Sequence, residues 1–227
     1  MCFSAGASFT AGALLAVVGV ETVKEVHKPS QAVFSGIILF FAFQQVMEGV
    51  LWLVIPGAKH PELQKAATYI FLVMAEFIWP ILIPLSLLLM EEKKKQKRLL
   101  AALLAVGAGI ALYYLRHIVI YDLHAEISGR HIVYRRAAQS LPGIIPTLIY
   151  LVPTLVPFFV SSLRRAYLMG IIMTLSFIVS AVFYREYLTS VWCFFAAVLS
   201  FVIYYIIHDA RKATFLKPLA DIVETKR

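Results

Sequence analysis

Seven long apolar runs, at roughly 3–23, 32–55, 67–90, 99–121, 142–160, 166–184 and 189–207, decide what this chain can become. Each approaches the ~20 residues that a helix needs to cross a hydrocarbon core of about 30 Å. Charge or turn residues close them: Lys24, Glu25 and Lys28 after the first, Pro56-Gly57 after the second, and the stretch Glu91–Arg98 between the third and fourth. In lipid every backbone N–H and C=O must be satisfied internally, so such runs are helices or closed barrels. Barrel strands read as alternating segments of about ten residues, whereas GIILFFAF and SLLLM are continuously apolar. The expected fold is all-α, a single polytopic seven-transmembrane-helix domain over residues 1–207 with a basic tail at 208–227. The fifth run carries Pro142, Pro146, Pro153 and Pro157, which predicts kinks or one broken helix.

Composition excludes the competing classes. Hydrophobic residues make up 61% of the 227 positions and charged residues 15%, against about 25% charged in soluble domains. Disorder needs low hydrophobicity, and two cysteines do not make a disulfide scaffold. Lys and Arg gather on cytoplasmic loops. One set of alternating loops and the tail holds 14 of them, the other set holds six, and Arg116 lies inside the fourth run. This places the N-terminus outside and the C-terminus inside the cell membrane. The net charge of +8 sits at membrane flanks, which argues for anionic headgroups and against nucleic acid. Cys2-Phe3 with Ala5 and Cys193-Phe194 with Ala196 open the first and last runs alike, a slender hint of a three-plus-one-plus-three repeat.

Several segments have a familiar cast. MCFSAGASFTAG at the start, QQVMEGVLW at 44–52 and SVWCFFAAVLS at 190–200, with FIWPILIP at 77–84 and HIVY at 131–134, resemble a family of uncharacterised prokaryotic seven-helix membrane proteins. The resemblance covers most of the chain. It implies seven helices and makes Cys2, Gln45, Glu48, Trp52 and Cys193 characteristic positions, but it carries no activity.

Ionisable groups inside a membrane span are costly and point to function by default. Glu48 lies about seven residues, or about 10 Å, from the outer end of the second run, with Gln44 four residues before it on the same helix face and Gln45 beside that. Glu76 falls near the middle of the third run, and Arg116 and His117 near the outer end of the fourth. Gln44, Gln45, Glu48, Trp52, Glu76, Arg116 and His117 therefore form the expected ligand pocket. The bland alternative keeps Glu48 as a packing carboxyl, protonated or paired with Arg116, and the glutamines as interhelical glue.

Two chemistries fit these groups. The first is binding of a small ligand or ion in a transporter or sensor; few charges and seven helices point to a small or apolar solute, or to a homo-oligomer. The second adds a metal, zinc or copper, held by Cys2, Glu48, His117, His131 and Cys193. Such a metal would suit a membrane-embedded hydrolase acting on a lipid or another apolar substrate. The two cysteines are alternatively buried small residues or one disulfide. There is no P-loop, no G-x-S-x-G and no lysine in the seventh run for a retinal Schiff base.

Overall fold

The computed structural model describes residues 4–57, 59–136 and 144–209. The order of elements is α1 (Ala5–Lys24), a 3-10 turn, α2 (Ala32–Val54), α3 (Pro61–Leu72), a π-helical segment (Val73–Ile78), α4 (Trp79–Met90) and α5 (Lys94–Ile120). A hairpin of β1 (Leu123–Ser128) and β2 (His131–Arg136) follows, then α6 (Ile144–Val160), α7 (Ala166–Phe183) and α8 (Leu188–Leu199). Helix continues over 201–209.

Every expected run is met by a helix, with α3, the π segment and α4 forming one crossing. Among the described residues, six of the resulting helices are long and apolar enough to cross a membrane; the seventh, α6, has 17 residues. Two helices overrun their apolar stretch. The third crossing starts at Pro61 rather than 67, and α5 starts at Lys94 rather than 99. Lysines and glutamate are good helix formers, so the helix continues where the hydrocarbon-like part stops. Pro153 and Pro157 lie inside α6, yet it remains one helix; Pro142 lies outside the described residues.

The third crossing has a sequence-encoded defect. Pro80 has no N–H for the carbonyl of Glu76, four residues earlier, and its ring crowds that carbonyl. The helix widens to π geometry immediately before it, over Val73–Ile78. The freed backbone is used: the Tyr150 hydroxyl donates to the Ala75 carbonyl at 2.6 Å. Pro84 repeats the trick, leaving the Pro80 carbonyl without an i+4 donor. Gly107 of α5 packs so closely on that carbonyl that a methyl there would overlap it. On the other side of the bundle α1 and α2 run antiparallel, with Gly12 against Ala42 and Val46, the small-residue packing expected where lipid supplies no hydrophobic drive.

The hairpin corrects the all-α expectation. Leu123–Ser128 pairs with His131–Arg136 in antiparallel register around Gly129-Arg130. Gly129 has φ of 62°, as a II′ turn requires at its first central position. Leu123, Ala125 and Ile132 are buried against Leu51, Ala67 and Phe71. Tyr134 stacks on Phe71 at 4.7 Å, and Gln64 donates to the Ala125 carbonyl at 3.0 Å. The strands thus cap the end of the bundle where α2 finishes and α3 begins.

The opposite end is stitched by polar bonds. Buried Glu91 accepts from the Ser162 amide at 2.7 Å, the Ser162 hydroxyl at 2.6 Å and the Lys93 amide at 3.0 Å. It ties the α4–α5 turn to the α6–α7 turn. Burial raises its carboxyl pKa, but these donors outweigh burial and hold it below the usual 4.5. Arg165 pairs with Asp209 at 3.2 Å and His208 with Glu25 at 3.2 Å.

Candidate functional site

Two carboxylates stand inside the bundle, in different surroundings. Glu48 of α2 is 0% exposed and accepts a short hydrogen bond from the Ser190 hydroxyl of α8. One turn deeper, the Gln44 amide accepts from the Trp79 indole N–H at 3.0 Å and donates to the Cys193 sulfur at 3.4 Å. Ser190 and Cys193 are three residues apart on α8, and Gln44 and Glu48 four apart on α2. The two helices therefore face each other with matched polar pairs in helical register.

Glu76 stands on the π segment. Both its oxygens are held by the Arg136 guanidinium, from the last residue of β2. Side-chain exposure is 14% for Glu76 and 27% for Arg136. The Arg136 guanidinium also lies 5.7 Å from the centre of the Tyr114 ring. A cavity of about 80 Å³ opens against Glu76, between the π segment, α5, α6, α7 and α8. A smaller one of about 20 Å³ lies beyond it, and both share Tyr150, Trp192 and Cys193 as wall. Trp192 is buried, and its indole N–H has no hydrogen-bond partner among the described residues.

The expected pocket residues do not converge. Glu76 alone among them lines the larger cavity; Gln44 reaches its wall through Cys193. Gln45 is fully buried, with both amide atoms unpartnered among the described residues. Trp52 is half-buried beside the hairpin, packed on Ala125 and Ile132. Arg116 is exposed, and Glu48 is bonded by Ser190. His117 packs edge-on against Tyr113 at 4.3 Å and stacks on Tyr121 at 5.4 Å.

The expected metal ligands fare similarly. His131 belongs to the hairpin and stacks on Tyr187 at 4.4 Å, and burial foremost holds its imidazole below its usual range. Cys193 is a buried free thiol, and Cys2 lies outside the described residues. No group of three or more His, Cys, Asp or Glu side chains among the described residues could hold a metal ion. Among the described residues, the expected ligands Glu48, His117, His131 and Cys193 are thus not assembled into a metal-binding group.

Arg136, Tyr114, Tyr150, Ser190 and Trp192 escaped the sequence reading as site residues. Arg136 counted only as a loop charge, because its partner lies 60 residues away. One local signal was present: a proline four residues after an intramembrane glutamate marks a helix defect at that carboxylate.

No curated protein and no solved structure matches the chain. The family assignment rests on the sequence itself, whose residues 1–217 match one family model, and the chain belongs to DUF6629, a family of unknown function.

Proposed function

We propose that this protein is a multi-pass protein of the cell membrane that binds a small solute in the Glu76 cavity, in a transporter or sensor role. The N-terminus and the hairpin lie outside, and the C-terminus with its basic tail at 208–227 lies inside. The 14-to-six division of Lys and Arg between alternating loops supports that orientation. The single observation that carries the reading is Glu76 on the wall of a cavity within the bundle, ion-paired to Arg136. A charge pair drawn largely out of water is costly to build, and π segments recur at functional sites. Placing the site at Glu76 rather than Glu48 follows from space: Glu48 lines neither cavity.

The test is thermal unfolding of the purified chain in detergent against amino acids, organic amines, carboxylates, sugars and nucleosides. One class that raises the midpoint of wild type but not of Glu76→Gln supports the reading. A panel in which every compound leaves wild type unmoved, or stabilises both proteins equally, sinks it.

A further inference from the structure

The cavity beside Glu76 is walled by aromatic rings in series. Tyr114 and Tyr150 meet edge to face with centroids 6.0 Å apart, Tyr150 and Trp192 at 6.0 Å, and Phe177 and Trp192 at 5.1 Å. All four line the same space as Glu76. Ring faces carry negative electrostatic potential and attract cations, most strongly where water is excluded. A box of rings with one carboxylate favours an organic ammonium ion over other solutes. A cation can replace another cation on the Glu76 carboxylate, whereas an anion would be repelled by that carboxylate and a neutral apolar molecule cannot compensate its charge.

The protein places a cation of its own at this spot. Arg136 binds Glu76 and stands over the Tyr114 ring. We infer that the cavity takes a small organic ammonium ion, and that this ligand competes with the hairpin's Arg136 for the Glu76 carboxylate. The inference rests on the solute-site reading and names the solute class. Arg136 is the more exposed partner, at 27% against 14%, so on exchange it turns to water while the carboxylate stays inside with its new cation. The volume of about 80 Å³ exceeds the roughly 10–15 Å³ that one water needs and suits a methylated ammonium head. Because Arg136 ends β2, its release loosens one anchor of the hairpin.

The experiment titrates tetramethylammonium chloride into the full-length protein in detergent, read by calorimetry and tryptophan fluorescence, with sodium chloride at matched ionic strength as control. Saturable binding of tetramethylammonium, absent with sodium chloride, is expected. Arg136→Gln removes the competitor and tightens binding about tenfold. Phe177→Leu keeps apolar bulk, loses a ring and leaves the ion pair alone, and it weakens binding about tenfold, the scale of one desolvated cation–π contact. Trypsin cleaves the hairpin faster when the site is saturated. Failure of tetramethylammonium to bind wild type, equal affinity in Phe177→Leu, weaker affinity in a folded Arg136→Gln, or unchanged hairpin cleavage would each overturn the inference. If the solute panel instead yields a carboxylate or sugar that stabilises wild type and not Glu76→Gln, the ammonium inference falls and the solute site stands.

Discussion

Glu48 and Glu76 are both glutamates in apolar helices, yet the bundle treats them differently. Glu48 meets a neutral hydroxyl, Ser190, between tightly packed helices and is 0% exposed. Glu76 meets a guanidinium delivered by a strand, beside a cavity, on a helix that has lost its regular hydrogen bonding. The first arrangement locks α2 to α8. The second joins the hairpin to a helix that lines a cavity. Depth in the membrane is therefore a poor guide to role; what faces the carboxylate, and whether there is room beside it, separates glue from site.

The largest expected effect falls on the Glu76 pair. Removing one member of a fully buried ion pair costs about 3–5 kcal/mol, because the survivor is left uncompensated, and the partial exposure of Glu76 and Arg136 puts this pair at or below the lower end of that range. Glu76→Gln and Arg136→Gln should each lower stability on that scale, read from unfolding in mixed micelles of increasing denaturing detergent. The double variant should recover most of the loss. Additive losses in the double variant would show that the two side chains do not depend on each other, and the contrast with Glu48 would collapse.

Glycine packing separates the same two regions. Alanine at 107 would overlap the Pro80 carbonyl, which is fixed backbone, and would press on Pro153 at 3.1 Å. Gly107→Ala should cost about 3 kcal/mol, at the upper end of overpacking penalties, and displace α5 with Tyr114. Alanine at 12 meets Val46 at 3.1 Å and the Ala42 carbonyl at 3.2 Å. The Val46 side chain can yield by tenths of an ångström, so Gly12→Ala should cost under about 1 kcal/mol, partly offset by alanine's better helix propensity. Equal costs would mean that α4–α5 packing is no more constrained than α1–α2.

At the glue end the effects shrink. Ser190→Ala removes the hydroxyl that donates to Glu48 and should cost about 1–3 kcal/mol. Glu48→Gln keeps a carbonyl oxygen for Ser190 and should cost less. Neither should change solute binding at Glu76. A loss of binding in Glu48→Gln with stability preserved would move the functional centre back to α2.

Much of this architecture was legible in the residues, and the reasons are physical. Runs of about twenty apolar residues with charged ends leave few choices, so the apolar helices are legible in the sequence, with boundaries blurred where Lys94, Lys95 and Lys97 extend a helix into polar territory. The hairpin was missed because His124, Glu126 and Arg135 alternate with Leu123, Ala125 and Tyr134 over only six-residue strands, too short to stand out beside seven long runs. Glu48 and Glu76 were found because charge inside an apolar run is conspicuous. Their partners were not, because Ser190 is ordinary in sequence and Arg136 looked like one more loop charge. Depth could be counted from the chain. Which helices face each other in the plane, and where they leave a gap, arises only from packing.

The smallest expected effect sharpens the comparison with a third carboxylate, Glu91, which lies just beyond the apolar stretch of its helix. Its donors hold the folded carboxyl below the usual 4.5 despite burial. As pH falls, the unfolded chain therefore takes up this proton before the folded one does. Glu91 contributes its full stability above about one unit over 4.5, where both states are ionised. That contribution declines as pH drops through 4.5 and is lost below the folded value. Unfolding midpoints measured between pH 7 and pH 4 should fall for wild type, and the fall should flatten in Glu91→Gln. Ser162→Ala removes one strong donor and should flatten it partly, while costing about 1 kcal/mol at neutral pH. An unchanged slope in Glu91→Gln would mean that the acid sensitivity arises elsewhere. A flattened slope would make the turn-to-turn bond at Glu91 a structural clasp, with neither the cavity of Glu76 nor the dry helix contact of Glu48.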